Sequence, residues 1–217
     1  SDWRALSAVA GPVALAGLVL GASLFIVPGT RARQQARFEQ TGPTLDGFAF
    51  FPYGIFVETQ AEQDTSDDVT LRLADDRPLI EWLRENVDGS PIIVEAVGPL
   101  YRWTGRISEY TGLPAVIGWD WHQIQQRTDY GELVQRRRSE TEAFYVSSST
   151  QLAVDYLRKY NVRYVIVGGE ERVHGSEAGL AKFEQMAGLT EVFRNGEDRI
   201  YAVDQSKLVP SYQLAGG

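Results

Sequence analysis

Arg106 to Arg127, RISEYTGLPAVIGWDWHQIQQR, is the stretch of this chain densest in groups able to recognise or transform a ligand. It carries Trp119, Trp121, Arg106, Arg127 and His122, one of only two histidines. A tryptophan face can stack on a sugar ring. An arginine fork can hold phosphate or carboxylate through paired hydrogen bonds. An imidazole can carry a proton near neutral pH. Together with residues on either side, the candidate substrate-binding set is Glu95, Tyr101, Arg106, Ser108, Trp119, His122, Arg127 and Arg172. If Asp120 begins a helix, His122 and Gln126 share one face at i, i+4 spacing, as do Gln123 and Arg127. No residue in the set is assigned a catalytic role.

Each of these residues has a plainer reading. His122 can hydrogen-bond a loop carbonyl, contact a ligand or bind a metal. The tryptophans can be core packing, and Arg106 with Glu95 can form a buried salt bridge that fixes the loop. Arg136 to Arg138 read as a solvated helix face or a contact for phospholipid headgroups. Gly168-Gly169 lacks the spacing of a nucleotide fingerprint, and a tight strand exit accounts for it. Ser108 and Ser147 to Ser149 have no nucleophile-elbow context. There is no carboxylate pair or triad of the kind a soluble hydrolase uses.

An α/β framework is expected to position these groups. Leu79, Ile80, Trp82, Leu83 and Val87 repeat at helical spacing after Asp76 and Pro78, a cap and a first-turn proline. Asp88-Gly89-Ser90-Pro91 stops that helix. Ile92 to Val97 follows as a buried strand of parallel type, ending at Gly98-Pro99. Ala115 to Ile117 is a short strand, Tyr130 to Tyr145 a helix, and Ser148 to Thr150 the cap of another helix reaching Tyr160. Val162 to Val167 is a fully buried strand, and a short helix spans Ser176 to Ala187. Asn195-Gly196 between two apolar runs signals a hairpin. Ligand sites in open α/β sheets lie beyond the carboxyl ends of the strands. Residues 98–108, 118–122 and 168–172 each follow such an end, so three ends can converge on one face.

Ala5 to Val27 contains no charged residue over 23 positions and ends at Pro28-Gly29. As a helix it reaches about 34 Å, enough to cross a bilayer core. The apolar run is too long, and its basic start too thin, for a secretory signal peptide. Arg31, Arg33 and Arg37 follow the span, a local bias toward a cytoplasmic domain. The opening Ser1-Asp2-Trp3, without Met, suggests a piece of a longer protein. Residues 41–57 are rich in aromatic groups and turns. They suit packing on the domain or an interfacial belt. Residues 58–76, with Asp64, Asp67 and Asp68, read as a solvated acidic loop without calcium-loop spacing.

The expected organisation is a membrane helix and its extension over 1–40, a connecting segment over 41–77, a soluble domain over 78–204 and a flexible tail over 205–217. The expected fold is α/β, a small three-layer Rossmann-like sheet with a C-terminal β-hairpin, preceded by one transmembrane helix. Hydrophobic residues make up 43% and charged residues 23%, which excludes a wholly disordered chain. The net charge of −8 argues against a nucleic-acid partner. The absence of cysteine excludes disulfides and thiolate metal sites. Two histidines make a His-rich metal site improbable, so no metal ligand or cofactor is assigned to the chain.

Three segments resemble the YYY family of multi-pass membrane proteins of bacteria and archaea. They are LDGFAF, then IEWLRENVDGSPIIVEAVGPLYRWTGRISEYTGLPAVIGWDWHQIQQR, then YLRKYNVRYVIVGGEER, covering Leu45 to Arg172. Gln123 stands where that family usually has Glu, and Gln126 where it usually has Trp. The family is similar to the C-type glycosyltransferases. The resemblance implies upstream transmembrane helices of the same protein, a lipid-linked sugar donor and an extracytoplasmic soluble domain. It also implies a catalytic carboxylate in an early outer loop outside this chain. The expected role is therefore binding of a sugar acceptor or a polyprenyl-phosphate-linked sugar, in contact with membrane lipid. On this reading the piece is inactive alone, and a divalent cation belongs to the full-length protein. The alternative is a non-catalytic extracytoplasmic binding or assembly module anchored by one helix.

Overall fold

A computed structural model describes residues 2–38, 42, 44–58 and 68–208. The chain divides into two compact units, Ser1–Phe50 and Phe51–Gly217. The first is dominated by helix α1 (Asp2–Phe38), which runs 37 residues with Pro12 and Pro28 inside it. Within α1, Ala8–Arg33 is long and apolar enough to cross a membrane. The expected stop at Pro28-Gly29 does not occur, and the helix continues through it. Proline deletes one backbone hydrogen bond, a loss that apolar helices of this kind tolerate.

The second unit is mixed α/β. It begins with an antiparallel pair, β1 (Ile55–Glu58) and β2 (Val69–Arg72), with Ile55 opposite Arg72 and Glu58 opposite Val69. This pair occupies part of the segment read from sequence as a connecting and acidic loop. The calls on Asp64 and Asp67, and on residues 209–217 of the tail, lie outside the described residues. Of the aromatic segment, Phe51 packs into the second unit. Phe51 is fully buried, edge-on to Tyr110 at 5.0 Å and to Trp103 at 5.9 Å.

Helix α2 (Leu73–Asn86) begins three residues before Asp76, so Asp76 lies in its first turn and does not cap it. Strand β3 (Ile92–Val94) is shorter than the apolar run predicts. Helices α3 (Arg106–Thr111), α4 (Asp120–Gln126), α5 (Gly131–Val146) and α6 (Thr150–Lys159) follow. Ser149 caps α6 by accepting a hydrogen bond from the Leu152 amide, as its residue type predicts. Strand β4 (Val162–Val167) leads into α7 (Gly169–His174), then α8 (Glu177–Ala181). The hairpin of β5 (Leu189–Asn195) and β6 (Asp198–Val203) turns at Gly196, as expected.

The larger sheet has the order β3-β4-β6-β5. Strands β3 and β4 are parallel; β6 runs antiparallel to both β4 and β5. Ala115 joins β3 only as a single parallel bridge to Ile93, so the expected strand over 115–117 is one residue pair. Apolar side chains pack against the sheet. Val94, Val165, Val167, Tyr201 and Val203 pack with Phe144, Tyr156, Leu157 and Phe183. On the α2 side, Trp82 meets Tyr164 at 6.4 Å and Phe193 at 5.9 Å. Residues 205–208 belong to the folded unit rather than to a loose tail. Leu208 is buried, and the Gln205 amide donates to the Leu157 and Val162 carbonyls.

Candidate functional site

A buried ion cluster joins the segments that follow β3 and β4. Gly105 (φ +88°) and Gly112 (φ +75°) flank α3 in left-handed conformations that other residues adopt at a cost. The first turn of α3 is capped by the residue that follows β3: the Ile107 amide donates to Glu95 Oε2 at 2.9 Å, and the Ser108 amide to Glu95 Oε1 at 3.0 Å. Arg106, fully buried, donates Nε to Asp76 at 2.7 Å and Nη2 to Glu171 at 2.9 Å. Glu171 also accepts from the Ala96 and Gly168 amides, each at 2.7 Å. The carboxylates thus receive a full set of donors, the condition under which a buried ion pair is tolerated. Tyr145 completes the joint, its hydroxyl lying 2.9 Å from both the Val94 and Ile166 carbonyl oxygens.

Burial works against the charge of Arg106, but Asp76 and Glu171 hold its pKa well above the ordinary value. Burial alone would raise Glu171; the Arg106 charge and hydrogen bonds, with the two amides, bring it below the ordinary value. Glu95 goes the other way. Burial pushes it up to about 7, against the opposing pull of Arg106 and the two amides. In the window between 4.5 and about 7 the folded chain holds a proton on Glu95 that the unfolded chain lacks. Its contribution is therefore full below that window and declines as pH rises through it. The Glu95→Gln variant is expected to lose this share of the pH dependence. Denaturant titrations of both proteins between pH 5 and 8 check it: the stability difference between them should change with pH, and a constant difference contradicts the assignment.

The candidate set separates into distinct places. Glu95, Arg106 and Ser108 belong to the buried joint, where the Ser108 hydroxyl donates to the Gly105 carbonyl at 2.9 Å. Tyr101, Trp119 and His122 meet at the surface. Tyr101 lies 5.8 Å from Trp119 and 5.5 Å from His122, and Trp119 lies 5.2 Å from His122, ring centre to ring centre. Trp119 is fixed by its indole N–H, which donates to the Thr104 carbonyl at 2.9 Å. Arg127 is exposed at the end of α4. Arg172 donates to Asp198 at 2.8 Å and so serves the β5–β6 hairpin.

The crevice between the strand ends is closed. Gly98, Thr104, Gly118 and Trp119 are among the residues enclosing about 10 Å³, room for roughly one water. Asp120, at the start of α4, is held by Arg138 at 2.9 Å.

Sequence reasoning passed over one further group. Glu58 at the end of β1 and Glu170 and His174 on α7 bring a ligand atom each within 4.8 Å of one another. Glu170 and His174 stand at i, i+4 on one helix, a spacing legible only once residues 169–174 are known to be helical. Family models, curated proteins and solved structures alike yield no match to the chain.

Proposed function

We propose that this chain is the soluble C-terminal part, with the last membrane helix, of a membrane glycosyltransferase-like protein. The surface of Tyr101, Trp119 and His122 receives the sugar of an acceptor or of a polyprenyl-phosphate-linked donor. On this reading the domain is extracytoplasmic and its sheet a small three-layer Rossmann-like arrangement.

The observation that carries the proposal is the backbone of Tyr101. Its φ of +60° is a left-handed conformation rare for an aromatic residue, yet the ring is 66% exposed. Strain of about 1–3 kcal/mol held at an exposed aromatic residue is a mark of a binding surface. Trp119 and His122 stand beside that ring, an arrangement suited to the apolar face of a sugar. Asp120, the carboxylate adjoining Trp119 in sequence, is engaged with Arg138, and Gln123 is neutral. The patch therefore recognises and does not react, and chemistry falls to groups outside this chain. A non-catalytic module anchored by one helix uses the same patch, and glycan transfer by the full-length protein separates the two.

The test is ligand binding by the chain in nanodiscs, with polyprenyl-phosphate-linked hexose as probe. Trp119→Ala and Tyr101→Ala are each expected to weaken binding about 10- to 30-fold, the loss of one aromatic contact of roughly 1.4–2 kcal/mol. Unchanged affinity in both variants, with unchanged folding, would sink the proposal.

A further inference from the structure

We propose that Glu58, Glu170 and His174 form a binding site for a divalent transition metal, zinc foremost, that fastens β1 to α7. The argument rests on buried charge and is independent of the sugar surface. Glu58 and Glu170 are both fully buried, and the four oxygens of their carboxylates make no full hydrogen bond among the described residues, the Trp103 amide bearing only weakly on Glu58. Nε2 of His174 has none either, although it lies 3.2 Å from Glu170 and 3.9 Å from Glu58. Two buried, adjacent carboxylates without full hydrogen bonds call for a proton or a counter-charge between them, and a metal ion supplies the second. Arg102 reaches Glu58 only at 4.0 Å and is spent in part on the Val57 carbonyl at 3.3 Å.

The spacing suits one ion. Tetrahedral coordination with metal–ligand bonds of about 2.0–2.2 Å places the ligand atoms roughly 3.3–3.6 Å apart. The observed 3.2 Å is close to that spacing, and the 3.9 Å contact needs Glu58 and His174 to close by a few tenths of an ångström on an ion. One imidazole with two carboxylates favours zinc over calcium or magnesium, which prefer all-oxygen cages. Zinc also outranks manganese in general affinity for such donors. Three protein ligands leave a fourth position, and the 17% exposure of the His174 side chain gives an ion access. Gly98 makes room for the imidazole, since a Cβ there would come within 2.7 Å of His174 Nε2.

The experiment uses the full chain in detergent micelles, stripped with a chelator and desalted, then titrated with zinc by calorimetry. The expected result is one zinc per chain and a higher unfolding temperature with metal. Glu58→Gln, Glu170→Gln and His174→Gln are each expected to weaken binding by on the order of 100-fold or more. The second readout is stability in chelator. There Glu170→Gln should be at least as stable as the unsubstituted chain, because it relieves the repulsion, and with zinc it should be less stable. Absence of zinc uptake overturns the proposal, as does uptake unaltered by the three substitutions. Loss of folding by Glu170→Gln in chelator overturns it too, because the carboxylate would then serve a partner within the protein.

Discussion

Replacing Arg106 with methionine is expected to destabilise the soluble unit by about 3–5 kcal/mol, the cost of stranding buried carboxylates without their cation. The side chain is fully buried, and its removal leaves Asp76 and Glu171 facing an apolar group. Such a loss is a large share of the roughly 5–15 kcal/mol that holds a domain together. It should appear as a lower denaturation midpoint. Local opening should come first in α3, whose docking depends on the same joint, and amide exchange of residues 106–111 reports it. Because Arg106 and Glu171 act as one unit, Arg106→Met should cost less in a Glu171→Gln background than alone. A coupling energy of roughly 0.5–3 kcal/mol is expected. Additive effects would show that the two side chains act separately.

Gly179→Ala should be the next most damaging change, by about 3 kcal/mol for overpacking against backbone that cannot easily move. A Cβ at this position would come within 2.0 Å of the Tyr145 carbonyl oxygen. The Ser176 hydroxyl caps this turn of α8 and donates to the Val146 carbonyl, so both sides of the contact are tied down. The strain passes to Tyr145, whose hydroxyl holds the Val94 and Ile166 carbonyls at the ends of two parallel strands. Thermal unfolding checks the loss. A Gly179→Ala protein as stable as the unsubstituted chain would mean that α8 can shift freely.

Much of the framework is legible in the sequence where local signals agree with packing. The apolar run of β4, the Asn195-Gly196 hairpin and the Ser149 cap are local, and the structure places them where the residues predict. Helix α3 is hidden, because it is six residues long and its amides are capped by Glu95, the residue that follows β3. Helix α7 is hidden for a similar reason: Gly168-Gly169 reads as a turn, and only the fold shows the helix that starts there.

The site is less legible than the fold. Arg106 has the residue type of a phosphate fork, but its partners Asp76 and Glu171 stand 30 and 65 positions away. A count of polar groups in one stretch cannot tell an open site from a buried ion pair when the partners are that remote. Glu58 and His174 escape the sequence in the same way, since the topology and not the spacing brings them together. The aromatic members of the set are the ones that meet at the surface. Tyr101 and Trp119 lie on two loops and His122 in the first turn of α4, with Trp119 held by the Thr104 carbonyl.

The most direct test of the sugar-binding surface follows the indole N–H signals of the chain in nanodiscs by NMR during titration. Polyprenyl-phosphate-linked hexose and bare polyprenyl phosphate are compared. The hexose-bearing lipid should shift Trp119, which stands in the patch, and leave Trp82, packed against Tyr164 and Phe193, where it is. The bare lipid should leave both unmoved. A Trp119 signal that stays fixed, or that responds equally to the lipid without sugar, would contradict the assignment of this surface.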